Sequence, residues 1–158
     1  LSSLGIDEQY KVVGIDPGET AGLCLFQGPT LCKATQVKGD VPQQAGILCS
    51  FLRETRPCVV VMEDYRVYPW RAKQHTWNSL HTPRLIGAIE YVCYVLNLRL
   101  RRQTAQQAKG FCTDEKLRSW GLWVEGQKHA RDAIRHVVYH LLFEVSRVQK
   151  QAESRGGG

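Results

Sequence analysis

The stretch Lys11-Val-Val-Gly-Ile-Asp16-Pro-Gly-Glu-Thr20-Ala-Gly22-Leu-Cys-Leu-Phe26 decides the fold. A run of strand formers stops at an acid, passes a Pro-Gly turn and resumes as a second apolar run. The pattern predicts two antiparallel strands, about Tyr10–Asp16 and Gly22–Gln27. Asp16 then ends the first strand, and Gly18 and Gly22 let the backbone turn tightly beside it. An aspartate at a strand end faces the cleft side of a sheet, within reach of a metal ion or a phosphate. Asp-Pro-Gly is also ordinary turn chemistry, so this stretch alone leaves a plain hairpin aspartate standing beside a functional one.

Working outward, Leu31–Val37 supplies a third antiparallel strand after the Gly28-Pro29 turn. Val41–Arg56 reads as a helix with Ala45, Leu48 and Leu52 on one stripe, closed by Pro57. Cys58-Val-Val-Val-Met-Glu63 is apolar throughout and ends in an acid, the pattern of a parallel strand buried on both faces. Residues 64–79 have no clean period and are dense in rings and cations. A helix over about Thr82–Leu96 carries Pro83 in its first turn, and Leu98–Arg102 reads as a short fifth strand. Thr104–Trp120 is polar and short-helical.

Lys128–Gln149 is the strongest helix, with Ala130, Ala133, Ile134, Val137, Val138, Leu141, Leu142 and Val145 on one arc. On its flank His129 and Asp132 stand about 60° apart, with His136 between them on the wheel. Together the elements predict a mixed α/β sheet. Acids at the exits of two neighbouring parallel strands then meet at one edge, where such sheets bind ligands.

Composition narrows the partner. The 158 residues suit one domain, residues 1–150, with 151–158 as a disordered tail. A net charge of +6 and a pI near 9.1 point to a polyanion. Nucleic acid comes before membrane, since the sequence carries no lipid motif or long apolar span. The six cysteines (24, 32, 49, 58, 93 and 112) show no metal-ligand spacing and read as buried free thiols in a reducing compartment. The cytoplasm is therefore expected, nucleoid-associated or in a host cell if the chain is phage-encoded.

The ordered set of motifs resembles the RNase H-like nucleases, and within them the RuvC family of Holliday junction resolvases. The residues that carry it are Gly14-Ile-Asp16-Pro-Gly18 with Thr20 and Gly22, Val59-Val-Val-Met-Glu63, and His129-Ala-Arg-Asp132-Ala133. Arg84-Leu-Ile-Gly87-Ala-Ile resembles the family's small-residue helix, and Gln103-Thr-Ala-Gln-Gln-Ala-Lys109 its segment bearing a basic residue. The resemblance spans about residues 10–148. It implies a mixed five-stranded sheet with helices on both faces, and metal-dependent resolution of four-way DNA junctions by paired nicks. It also implies a homodimer on branched DNA, with no membrane partner.

Two Mg²⁺ or Mn²⁺ ions per site, about 4 Å apart, would activate water and stabilise the leaving oxygen. By the family's pattern Asp16 bridges the ions, Glu63 and Asp132 bind on either side, and His129 takes a place filled by Asp or His. Lys109 is the candidate to offset charge at the scissile phosphate, and Lys116 a weaker second. Asp64 is expected on the opposite strand face from Glu63. The segment with Tyr65, Arg66, Tyr68, Trp70, Arg71 and Lys73 interleaves rings with cations, as nucleic-acid contacts do. The family uses an aromatic here to open the junction centre; Arg66 stands at that position, so Tyr65, Tyr68 or Trp70 is left for the role. The same rings also suit a dimer interface.

Three further readings remain. One is an RNA-processing relative, and another is a non-catalytic nucleic-acid-binding member of the fold. The third is an actin-like phosphotransferase, suggested by the first hairpin, but the chain has no room for the second lobe it needs.

Overall fold

Val12, Val13 and Ile15 are fully buried along β1 (Lys11–Asp16), because the strand is covered on both faces. The structure, a computed structural model, describes residues 5–64 and 80–145. β1 pairs antiparallel with β2 (Thr20–Gln27), which pairs antiparallel with β3 (Thr30–Lys38). Beyond the opposite edge of β1 come β4 (Val59–Glu63) and β5 (Leu100–Gln103), both parallel to it, giving the order β3-β2-β1-β4-β5. The expected mixed five-stranded sheet is present.

One face of the sheet packs on α1 (Val41–Thr55) and α2 (His81–Val95) through Val13, Ile15, Leu48, Leu52, Val60, Met62 and Ile89. The other packs on α5 (Lys128–Tyr139) through Val12, Val61, Ile134, Val137 and Val138. Helix α1 begins at an Asp40–Gln43 capping box, with Pro42 in its first turn, and ends at Arg56 in the left-handed region before Pro57. Two short helices, α3 (Ala105–Phe111) and α4 (Asp114–Ser119), divide the polar segment after β5. Thr104 caps the first, with Gln107 completing a capping box, and Thr113 caps the second.

The glycines of the opening motif do a different job from the one expected. Neither Gly18 nor Gly22 adopts a left-handed φ. A Cβ on Gly22 would lie 1.8 Å from the His129 carbonyl oxygen, and one on Gly14 2.6 Å from that of Ala133. The two glycines let α5 ride directly on β1 and β2, which fixes where its first turn stands.

Two other expectations are corrected. The last helix keeps α geometry only to Tyr139 and widens to a π-helical turn over His140–Val145; residues 146–149, like the proposed tail, lie outside the described residues. The cysteines are free, but only Cys24, Cys93 and Cys112 are buried. Cys32 is exposed on the edge strand β3 and Cys58 just ahead of β4, where the pleat and the chain entry turn them outward. Among the described residues, no helix is long and apolar enough to cross a membrane.

Candidate active site

The sheet itself brings the first two acids together. Ile15 pairs with Met62 in the parallel β1–β4 ladder, and Asp16 and Glu63 are the next residues, the last of their strands. Glu63 pairs in turn with Gln103 at the end of β5, and α3 starts two residues later. From the far face, α5 brings His129 and Asp132 to the same edge.

These groups converge on one cation. Lys109 Nζ stands 2.9 Å from Glu63 Oε2, 3.3 Å from Asp132 Oδ2 and 3.9 Å from Asp16 Oδ1. His129 Nδ1 lies 3.1 Å from Asp16 Oδ2, and its backbone N–H donates to Gln36 Oε1 at 3.0 Å. Arg135, also buried, donates to Asp132 Oδ1 at 2.7 Å and through Nε to the Cys112 carbonyl at 2.7 Å; it also pairs with Asp114. Of the residues singled out from the sequence, the structure brings Asp16, Glu63, His129, Asp132 and Lys109 together.

Lys116 does not join them. Its ammonium donates to the Phe111 carbonyl at 2.7 Å and lies 3.8 Å from the centre of that ring. The Asp64 backbone N–H donates to the Gln103 carbonyl, extending the β4–β5 ladder past the site. Tyr65, Arg66, Tyr68, Trp70, Arg71 and Lys73 lie outside the described residues.

Sequence reasoning missed His136 and Gln103. His136 is fully buried, with Nε2 3.1 Å from Glu63 Oε2 and Nδ1 3.0 Å from Gln103 Oε1. The signal was its place on the wheel between His129 and Asp132, on an otherwise apolar flank.

The electrostatics separate the acids. Burial, then the neighbouring Glu63 charge, push Asp16 up to about 6. Burial acts the same way on Glu63, but the His136 and Lys109 hydrogen bonds outweigh it and hold that carboxyl near 2. Burial alone would lower Lys109; its bond to Glu63 and the charges of Asp16 and Asp132 raise it instead.

A pH dependence follows for the metal-free protein. Asp16 ionises less readily in the fold than in the unfolded chain, so its ionisation costs stability. That cost is absent below its unfolded value of 3.8 and is complete above about 6. Glu63 behaves oppositely: its contribution is present above 4.5 and is lost as pH falls towards about 2. In EDTA, wild-type melting measured against Asp16→Asn should therefore fall as pH rises from 4 to 7. A flat difference would place Asp16 in a less strained setting.

Could these residues hold divalent ions? Among the described residues no three His, Cys, Asp or Glu side chains already stand at ion-binding spacing. The chemistry nevertheless fits. Three hard carboxylates close around an ammonium that stands in for a cation, and oxygen donors of this kind are what Mg²⁺ and Mn²⁺ prefer. A basic cleft of about 480 Å³ adjoins them, lined by Lys109, Lys128, Arg131 and Arg135 with Asp114 and Asp132.

Neither a protein-family model nor a curated protein matches the chain. Solved structures do. The fold superposes on Thermus thermophilus RuvC in complex with a Holliday junction substrate with a TM-score of 0.66. That match has 19% identity and covers 83% of this chain and 92% of that one. The chain has the fold of the RuvC resolvases. A second T. thermophilus RuvC structure gives 0.59 at 20% identity, covering 82% of this chain and 92% of that one. The yeast mitochondrial Holliday junction resolvase Ydc2 also gives 0.59, at 14% identity, covering 89% and 81%. The RuvC-type fold accounts for both expected layers of helices and for the meeting of Asp16 and Glu63 at one sheet edge.

Proposed function

We propose that this protein is a metal-dependent, structure-selective endodeoxyribonuclease that resolves four-way DNA junctions by paired nicks. The observation that carries the reading is the convergence of Asp16, Glu63 and Asp132 on Lys109 at the strand exits of a RuvC-type fold. Asp16, Glu63, Asp132 and His129 are the residues that would hold two Mg²⁺ or Mn²⁺ ions. Such ions supply an activated water and stabilise the leaving 3′ oxygen.

The chain's own groups do the rest. Lys109 offsets negative charge where a scissile phosphate meets three carboxylates. The Lys128 and Arg131 side of the cleft takes the adjoining backbone phosphates. Arg135 and His136 hold Asp132 and Glu63 from behind, so the acids do not reorganise as substrate arrives. Tyr65, Arg66, Tyr68, Trp70, Arg71 and Lys73 are assigned to the junction centre on sequence grounds.

A homodimer completes this reading, because two like sites on a two-fold axis suit paired nicks in a two-fold-symmetric junction. Exposed Tyr91 and Tyr94 on α2 offer apolar area for the pairing. Six free thiols fit a reducing cytoplasm.

The test is cleavage of a labelled immobile four-way junction, a matching duplex and a structured RNA, with Mg²⁺ or Mn²⁺. Selective, symmetric nicking of the junction is expected. Preferential cleavage of the RNA would move the protein to RNA processing, and binding without cleavage would make it a non-catalytic member of the fold.

A further inference from the structure

Glu63 is gripped from behind as well as from the cleft. His136 sits in the third turn of α5 among Val137, Ala133 and other buried apolar residues, with none of its own surface exposed. An imidazole there loses its hydration, which is tolerable only where its nitrogens find partners. Both do: Nε2 meets Glu63 Oε2 at 3.1 Å and Nδ1 meets Gln103 Oε1 at 3.0 Å.

Gln103 is buried too, and the β4–β5 register sets it beside Glu63. Its amide orientation is fixed by its other end, which donates to Glu144 Oε1 at 3.4 Å. The row continues: Glu144 Oε2 lies 2.9 Å from His140 Nδ1, and His140 Nε2 3.2 Å from the Tyr10 hydroxyl. A polar seam therefore crosses the sheet under α5, from the carboxylate centre to the foot of β1. With Gln103 oriented by Glu144, both ring nitrogens of His136 face oxygens, and in the tautomer that carries its proton on Nε2 the ring donates to Glu63.

We propose that His136, oriented by Gln103, is a positioning residue that fixes the Glu63 carboxylate and thereby sets the affinity of the centre for divalent ions. The inference deepens the nuclease reading and rests on Glu63 being an ion ligand. Groups that brace metal ligands from outside are commonly worth about 10–100-fold in affinity or activity. The ring touches neither substrate nor ion, so its effect should appear without DNA.

The experiment is Mn²⁺ titration of the DNA-free protein, followed by the loss of the free-ion paramagnetic resonance signal, with melting in EDTA alongside. Wild type should bind and Glu63→Gln should bind far more weakly. His136→Ala should bind about tenfold or more weakly, and His136→Gln, which restores a donor, should recover most of that loss. Gln103→Met keeps the side chain's shape and removes the acceptor; a smaller weakening, about threefold, is expected.

Core filling alone would lower the melting temperature of His136→Ala and leave its Mn²⁺ affinity unchanged, which overturns the proposal. If His136→Ala does not fold, unchanged affinity in Gln103→Met overturns it. Wild type without Mn²⁺ affinity, or Glu63→Gln binding as tightly as wild type, would overturn the metal reading itself.

Discussion

Asp16→Asn is expected to reduce junction cleavage at least about a thousandfold, roughly 4 kcal/mol of barrier, while leaving the junction bound as tightly or more tightly. The carboxylate lost is the one within reach of both His129 and Lys109. Binding survives because the change removes one negative charge that faces phosphates. The same substitution should make the metal-free protein more stable above pH 6, since the fold favours the neutral form of Asp16 and asparagine imitates it.

Glu63→Gln should lose cleavage to a similar degree but with the opposite sign in stability. It takes a charge away from two hydrogen-bonding partners, His136 and Lys109, at a cost of about 1–3 kcal/mol. Cleavage on radiolabelled junctions, gel-shift binding and melting in EDTA check the three parts separately. Near-wild-type cleavage by Asp16→Asn removes it from the chemistry. Equal stability changes in the two variants would mean that their environments do not differ as the geometry indicates.

How much of this was legible in the sequence depends on the range of the signal. Strand ends and helix flanks are local, so apolar runs that stop at an acid placed Asp16 and Glu63 at strand exits, and the 3.6-residue period set His129 and Asp132 on one flank. Their meeting at one edge followed from reading the two strands as parallel neighbours in a mixed sheet, and Lys109 came with the motifs' resemblance to the resolvases.

What stayed hidden depends on contacts between distant elements. His136 reads only as a flank residue between His129 and Asp132, and the β4–β5 register reveals that Glu63 and Gln103 face its two nitrogens. Gly22 follows an Asp-Pro-Gly turn and reads as turn chemistry; its requirement comes from α5, more than a hundred residues later. The exposure of Cys32 likewise follows from β3 being an edge strand, which no local pattern announces. The split into α3 and α4, by contrast, was written locally, in the caps Thr104 and Thr113.

Gly22→Ala tests that long-range contact most directly, and it should damage both fold and site. The new methyl would lie 1.8 Å from the His129 carbonyl oxygen and 2.2 Å from its carbon, far inside any tolerated separation. Backbone faces it on the far side, so no side chain can swing away. Either α5 lifts at its first turn or β2 bends. Lifting moves His129 and Asp132 off Asp16 and also loosens Ala133 and Val137 above Gly14, where a second close approach seats the same helix. A stability loss of about 2–4 kcal/mol is expected, at the upper end of overpacking costs because the obstacle is backbone. Cleavage should fall about a hundredfold even at temperatures where the variant is folded, since a shift near 1 Å at a catalytic group costs that much. Gly46→Ala is the matched control: it is exposed inside α1, its methyl meets nothing within 4 Å, and helix propensity predicts a gain of about 0.5–1 kcal/mol. Melting and junction cleavage should be measured on both variants. Wild-type values for Gly22→Ala would mean that α5 is not seated on β2 and that His129 and Asp132 reach the site from elsewhere.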